Sequence, residues 1–257
     1  MPSRRRQLLL AAGLAATLAT GCSSGNDADR TPGAPVTQED ADALAGLLHR
    51  NFTRGGADFV VTAPYGEDTV LTLTGEVDFR HDIGRAQAVT SFGDGRADDT
   101  RTLFFTAEEV WIGDVPGLAE ALSAAGAPGA LYLHRPLTAG DEGATPPLVD
   151  ALLEVLLNLS SRTADDPRSF VDAGYTWEGQ RSIDSRLTSL FGLQDGRTVA
   201  VAASDDLLTQ FVTPLADGAV DVTVTLSDHG SRTLAGPADE ETAETADLPD
   251  VAATFGI

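Results

Sequence analysis

The feature that most constrains the fold is residues 71–79, where apolar and polar side chains alternate without a break. The odd positions hold Leu71, Leu73, Gly75, Val77 and Phe79, and the even positions between them hold Thr72, Thr74, Glu76 and Asp78. Successive side chains of a β-strand point to opposite faces of its sheet. The alternation therefore predicts a long strand with one face in an apolar core and the other in water.

Shorter patterns of the same kind predict further strands, at residues 58–63, 86–92, 102–106, 109–112, 130–134, 199–203, 207–213 and 220–226. Turn sequences separate several neighbouring members of this set, among them Asp94-Gly95, residues 204–206 and residues 228–230. Strands that follow one another in sequence and are joined by short turns pair in antiparallel fashion. The sequence therefore predicts an antiparallel sheet.

Three segments have the period of a helix instead. Thr37 begins the first as a cap, with acidic residues in the first turn, and Gly55 follows its end. The second covers residues 115–125 and the third covers residues 147–161. The third is apolar around most of its circumference, so it should be covered on most sides. It either plugs the concave side of the sheet or lines an apolar cavity. Strands combined with a few helices predict an α+β fold.

The start of the chain has the three zones of an export signal. Arg4–Arg6 form a cationic start, residues 8–18 form a short apolar run, and small residues lead to Gly21 and Cys22. This end resembles the lipobox of bacterial lipoproteins, although Ala19 stands where such boxes more often carry Leu. The resemblance implies that signal peptidase II cuts between Gly21 and Cys22 and that Cys22 carries fatty acyl chains such as palmitate. Two or more acyl chains anchor a protein firmly to a bilayer.

The route of export stays open at this stage. Arg5-Arg6 followed by Gln7 resembles a twin-arginine signal, but a general cluster of positive charge would look the same. All seventeen basic residues are arginine, which fits the GC-rich genome of an actinomycete. By either export route, the expected location is the outer, extracytoplasmic face of the cell membrane.

The charge of the chain excludes one class of partner. The formal net charge is −22, and removal of the three signal arginines leaves a mature chain of about −25. Such a chain repels nucleic acid and anionic headgroups, so no nucleic-acid partner is expected. Cys22 is the only cysteine and is assigned to lipid, which leaves no thiol for a metal or a nucleophile.

Composition divides the chain into four parts. Residues 1–21 are the signal peptide, and residues 22–35 are the lipidated cysteine with a flexible, polar tether. Residues 36–235 are long enough for one well-buried domain. Residues 236–257 are rich in acidic residues and predict a solvated, poorly ordered tail.

Motifs that carry chemistry do not stand out in this sequence. His49, His81, His134 and His229 lie far apart without the spacing of metal ligands. Neither a nucleophile elbow nor a phosphate-binding loop occurs. Residues 94–99 lack the regular oxygen-ligand spacing of a calcium loop. We therefore expect no metal, no cofactor and no enzymatic activity. An uncharacterised hydrolase is the least supported of the alternative functions.

The order of elements resembles the LolA-like fold and, within it, the LppX/LprG family of actinobacterial lipoproteins. The likeness is carried by residues 72–79 and 220–230, a strand–Gly–strand passage and a final strand that ends in an Asp-x-Gly turn. The resemblance implies a strongly curved antiparallel sheet, a half-barrel, with helices that cover its concave face. Several family members hold acyl chains in the space between and carry lipid across the envelope. Related folds instead sense envelope stress by binding protein partners.

The leading prediction is thus a membrane-anchored lipoprotein that binds or carries an acyl lipid in the cell envelope. If a cavity exists, its lining should come from the apolar side chains of the long strand and the third helix, namely Leu71, Leu73, Val77, Phe79, Leu152, Val155 and Leu156. The same residues would serve equally well as a filled core. The alternative is an envelope protein-interaction or sensory module of the same fold without bound lipid.

Overall fold

The alternating segment lies in the middle of a large open sheet. The computed structural model describes residues 30–66, 68–138, 146–215 and 220–257. Within them the strands are β1 (Ala34–Pro35), β2 (Gly56–Pro64), β3 (Thr69–Asp78), β4 (Ile83–Phe92), β5 (Asp99–Thr106), β6 (Glu109–Gly113), β7 (Tyr132–Pro136), β8 (Thr176–Ile183), β9 (Arg186–Gly192), β10 (Thr198–Ala202), β11 (Leu208–Leu215), β12 (Val220–Ser227) and β13 (Thr242–Glu244). The helices are α1 (Gln38–Ala45), α2 (Leu47–Arg54), α3 (Leu118–Ala124), α4 (Leu148–Leu157), α5 (Pro167–Asp172) and α6 (Pro249–Phe255).

All thirteen of these strands belong to one sheet, in the order β1-β8-β9-β10-β11-β12-β2-β3-β4-β5-β6-β7-β13. Neighbouring strands pair antiparallel, except that β13 runs parallel to β7. The prediction of an α+β fold with an antiparallel sheet is confirmed. The strands predicted from alternation are present. β3, at Thr69–Asp78, contains eight of the nine alternating residues, and Phe79 follows its end.

One face of the sheet, here called the inner face, carries the main core. Phe59, Leu73 and Val77 project from β2 and β3 and are almost fully buried. Leu44 and Leu47 of α1 and α2, and Leu152, Leu153 and Leu156 of α4, belong to the same buried cluster. These helices therefore cover the inner face. The opposite, outer face carries mostly polar side chains such as Thr62, Thr72 and Thr74, as the alternation requires.

Local sequence explains how the first helices form. Thr37 accepts a hydrogen bond from the Asp40 backbone N–H, and the Asp40 carboxylate accepts one from the Thr37 N–H. This reciprocal capping box satisfies two N–H groups that the first helical turn leaves without partners. Gly46 then divides the predicted single helix into α1 and α2.

The C-terminal segment corrects one prediction. Residues 236–257 were expected to form a poorly ordered tail, but β13 pairs with β7 and α6 packs on α3. A small second core joins Leu118, Leu122, Leu133 and Ala252, which are all buried. The acidic residues of this segment face water, while a few apolar residues pack it against the domain. Composition alone does not distinguish these two sets of residues.

The tether is also shorter than its composition suggested. Residues 22–35 were assigned to it, yet Ala34 and Pro35 form β1 and pair with β8. Residues 31–257 form one compact unit. Among the described residues, no helix has both the length and the apolar character that a membrane crossing requires. The signal segment, with Gly21 and Cys22, lies outside the described residues.

Candidate ligand-binding site

An apolar cavity of about 370 Å³ lies between the inner face of the sheet and the helices. Strands β10 and β11 supply one wall, and helices α1, α2, α4 and α5 supply others. The apolar lining consists of Leu44, Leu47, Leu48, Val155, Leu159, Phe170, Leu193, Val199, Leu208 and Phe211. Apolar pockets of roughly 300–1,000 Å³ are typical of sites for small organic ligands. The cavity is at the lower end of that range.

Two hydrogen bonds fix the helices around this cavity. The Asn51 side chain of α2 donates from Nδ2 to the backbone oxygen of Leu159, just after α4, at 2.7 Å. Asn51 is fully buried, so this bond lies away from competing water. The Asp165 backbone N–H donates to the Ala45 oxygen at 3.0 Å, which ties the segment before α5 to the end of α1. The walls of the cavity are therefore joined by the backbone as well as by packing.

Polar groups at the cavity are few. Asn158 and Asp165 are exposed residues of its lining, and Thr213 is a buried one. Arg197 is half-buried, and its guanidinium donates to the Gln194 backbone oxygen at 3.2 Å. Asn158, Asp165 and Arg197 thus have access to water, whereas most of the lining is apolar.

The seven residues proposed for the lining divide between two roles. Six of them are buried in the main core, namely Leu71, Leu73, Val77, Phe79, Leu152 and Leu156. Val155 lines the cavity. The cavity instead takes most of its lining from α1, α2, β10 and β11. The helix residues Leu44, Leu47 and Leu48 carry a signal in the sequence, since their spacing places them on one face of a helix.

A second, polar cleft of about 300 Å³ lies where β9, β11 and β12 meet the end of α2. Its lining includes Arg54, Arg186, Asp205 and His229. Arg186 pairs with Asp205. Burial lowers the pKa of His229, and the nearby Arg186 lowers it further, whereas Asp205 acts in the opposite direction. The backbone of Leu208, close to the His229 ring, also raises the pKa, although neither ring nitrogen forms a hydrogen bond to a residue that the structure describes. His229 therefore favours its neutral form in the fold.

The other histidines are not brought together. Nδ1 of the His81 ring lies 2.8 Å from the Asp78 carboxylate, and the His81 side chain is largely exposed. His49 contacts the Ser161 backbone oxygen at 3.3 Å, and His134 lies on β7. Within residues 30–66, 68–138, 146–215 and 220–257, no three side chains of the types His, Cys, Asp and Glu are arranged to hold a metal ion.

Comparison with known proteins finds solved structures that are similar only at low identity and low TM-score. No family model matches the chain, and no curated protein matches it. An uncharacterised conserved protein from Thermus thermophilus is 12% identical, with a TM-score of 0.37 over 80% of this chain and 98% of that one. A LolA superfamily protein from Nitrosomonas europaea is 8% identical, with a TM-score of 0.25 over 78% of this chain and 96% of that one. Likenesses of this size do not establish a shared function.

Proposed function

We propose that this chain is a membrane-anchored lipoprotein of LolA-like fold that binds one acyl lipid in the cavity between its sheet and helices. The observation that carries the proposal is the cavity itself, which has about 370 Å³ of space and a lining made mainly of Leu, Val and Phe side chains. Filling an apolar cavity with a hydrocarbon chain removes apolar surface of both partners from water. Each buried methylene group contributes about 0.8 kcal/mol.

The proposed location follows from the first residues of the sequence. Lipid on Cys22 and a polar tether would keep the domain on the outer face of the cell membrane, within reach of bilayer lipid. The role is binding or transfer without chemistry. The half-barrel curvature and the LppX/LprG relationship belong to this proposal, and the sequence resemblance supports them.

Lipid mass spectrometry of protein purified from bacteria tests the binding role. Residues 23–257, exported behind a cleavable signal that leaves no lipidated cysteine, should yield acyl lipid in a stoichiometric amount. Val155→Trp places a large ring in the cavity and should abolish this lipid while the domain remains folded. Val60→Trp is the matched control, because Val60 is 40% exposed on the outer face of the sheet.

Two results would contradict the proposal. Repeated recovery of stable protein without lipid is one, and retention of lipid by the Val155→Trp variant is the other. Empty, stable protein would favour the alternative function, an envelope protein-interaction or sensory module that uses the same fold without lipid.

A further inference from the structure

Four aromatic rings lie together on the outer face of the sheet, on the side opposite the cavity. They belong to Phe104, Trp111, Tyr132 and His134, here called the aromatic patch. Phe104 is opposite Trp111 on the next strand, and Trp111 is opposite His134 on the strand after that. The Trp111 and His134 rings are stacked, with centroids 4.7 Å apart and planes at 17°. The Phe104 and Tyr132 rings meet edge to face at 5.6 Å.

A glycine makes room for this arrangement. Gly113 is directly opposite Tyr132, and a Cβ atom added to it would lie 2.4 Å from Cδ1 of the tyrosine ring. The ring therefore lies over Gly113, between its own strand and Phe104. The four rings remain half-buried. They form a preorganised surface that a ligand can still reach. Because the rings are already held in place, binding would cost little side-chain entropy.

Carboxylates surround the patch. Glu244 of β13 lies 2.8 Å from Nδ1 of His134, and Glu109 of β6 lies 3.5 Å from Nε2. Their side chains are 52% and 45% exposed, so both can meet a partner. Burial raises the pKa of the Tyr132 hydroxyl, and the negative charges of Asp114 and Glu241 raise it further. Four carboxylates, those of Glu109, Asp114, Glu241 and Glu244, therefore lie near the rings.

One positive charge beside the patch is already neutralised. Arg85 is opposite Phe104 in the sheet, but its Nε donates to Oε1 of Glu76 at 2.7 Å. A cation placed over an aromatic face is attracted by the ring, and guanidinium groups use this contact more often than ammonium groups. Trp and Tyr with a polar rim are also the typical composition of binding hot spots. The charge of the mature chain, about −25, would speed the approach of a basic partner.

We propose that the aromatic patch and its ring of carboxylates form a docking site for an arginine-rich segment of a basic protein partner. The site goes beyond lipid binding and is independent of it, because the patch and the cavity lie on opposite faces of the sheet. Arginine side chains would stack on Trp111 and Tyr132 and pair with Glu109 and Glu244.

Fluorescence anisotropy of a labelled poly-arginine peptide, added to the mature chain without Cys22, tests the site. We expect binding that weakens with salt, and weaker binding of poly-lysine, because ammonium groups stack less well. Trp111→Ala and the double variant Glu109→Gln/Glu244→Gln should each raise Kd by about tenfold. Trp111→Phe keeps an aromatic ring and should retain most of the binding. The peptide should also change tryptophan fluorescence through Trp111, since Trp177 is only 5% exposed.

A matched charge control separates a site from general attraction to an acidic protein. Asp184→Asn/Asp221→Asn removes the same two charges from exposed residues outside the patch. It should change Kd by less than about twofold, because exposed charges farther away than a Debye length are screened. An equal loss in both double variants, or unchanged binding by a folded Trp111→Ala protein, would overturn the proposal. Thermal unfolding of each variant establishes that it is folded, and lipid content measured in parallel reports on the cavity separately.

Discussion

Arg135 on β7 and Asp150 on α4 form a bidentate ion pair, with both Nη···Oδ distances at 2.7 Å. The Asp150 side chain is 1% exposed and also accepts a hydrogen bond from the Thr138 backbone N–H at 2.8 Å. This pair holds the first turn of the most apolar helix against the strand. Arg135→Met would leave the carboxylate buried without its cation, and the free energy of unfolding should fall by about 3 kcal/mol in urea denaturation.

An exposed pair provides the comparison. Arg96 and Asp94 are joined at 2.8 Å but are both largely exposed, so Arg96→Met should cost less than about 1 kcal/mol. The double variant Arg135→Met/Asp150→Leu should recover most of the lost stability, because no buried charge remains. Equal effects of the two single variants would contradict this account.

Gly75 is required by the close approach of the neighbouring strand. A Cβ atom on Gly75 would lie 2.0 Å from the Arg85 backbone oxygen and 2.8 Å from Cα of Ala86. Backbone atoms cannot move aside as a side chain can, so Gly75→Ala should lower the free energy of unfolding by about 2–3 kcal/mol. Gly236→Ala adds the same atom where nothing lies within 4 Å and should change stability by less than about 0.5 kcal/mol. Chemical denaturation of the two variants gives the comparison.

The C-terminal helix should contribute to stability. A chain that ends at Leu248 lacks α6, and loses the contacts of Val251, Ala252 and Phe255 with the second core. The expected decrease is about 2–4 kcal/mol, from the apolar surface that these side chains bury. Thr254→Ala, at an exposed position of the same helix, serves as the control for a change that leaves this core intact. Unchanged thermal stability of the shortened chain would show that the segment is a solvated tail after all.

Acidification should destabilise the protein partly through His229. Its pKa is lower in the fold because of burial and then Arg186, so the unfolded chain takes up the proton first. The favourable contribution is complete above the unfolded pKa of about 6.5 and is lost as the pH falls below it. His229→Gln should therefore reduce the loss of stability between about pH 7 and pH 5. Urea denaturation at several pH values compares the variant with the unchanged protein.

Cys22→Ala tests the anchor in cells. Without the thiol that would carry lipid, the protein should appear in the medium or accumulate with its signal uncleaved. Immunoblots of the medium and of the membrane fraction distinguish the released chain, and the longer uncleaved chain, from the anchored form. Retention in the membrane fraction at the size of the cleaved chain would refute the lipoprotein assignment.

Alternation was the most informative signal for the fold, because it determines both the existence of a strand and its buried face. It located β3 and β12, yet it missed the hairpin of β8 and β9, where exposed residues such as Arg181 and Leu187 break the pattern. These two strands lie near one edge of the sheet and bury few side chains, so their sequences carry little periodicity. The very short β1 and β13 are fixed by pairing with distant strands and leave no local pattern.

The sequence indicated that an apolar cavity could exist between the sheet and the third helix, but not where it lies. An apolar α4 and an apolar strand face indicated buried space, but the empty volume lies beside Val155 and Phe211 instead of beside Leu73. Whether two apolar surfaces fill the space between them depends on side-chain packing across α1, α4 and β11, which are far apart in sequence. The aromatic patch was missed for the same reason, since Phe104, Trp111 and Tyr132 meet only through strand register.

The two ends of the folded chain have a protective effect on the sheet. β1 and β13 occupy its outer edges, with two and three residues respectively. Pro35 has no N–H to offer, and an edge this short gives a second copy few backbone groups to pair with. β1 thus shields Thr176 and Trp177 at one end of β8, and β13 shields residues 132–134 of β7, from pairing with a second copy. This is an advantage for a domain that would be concentrated on a membrane surface.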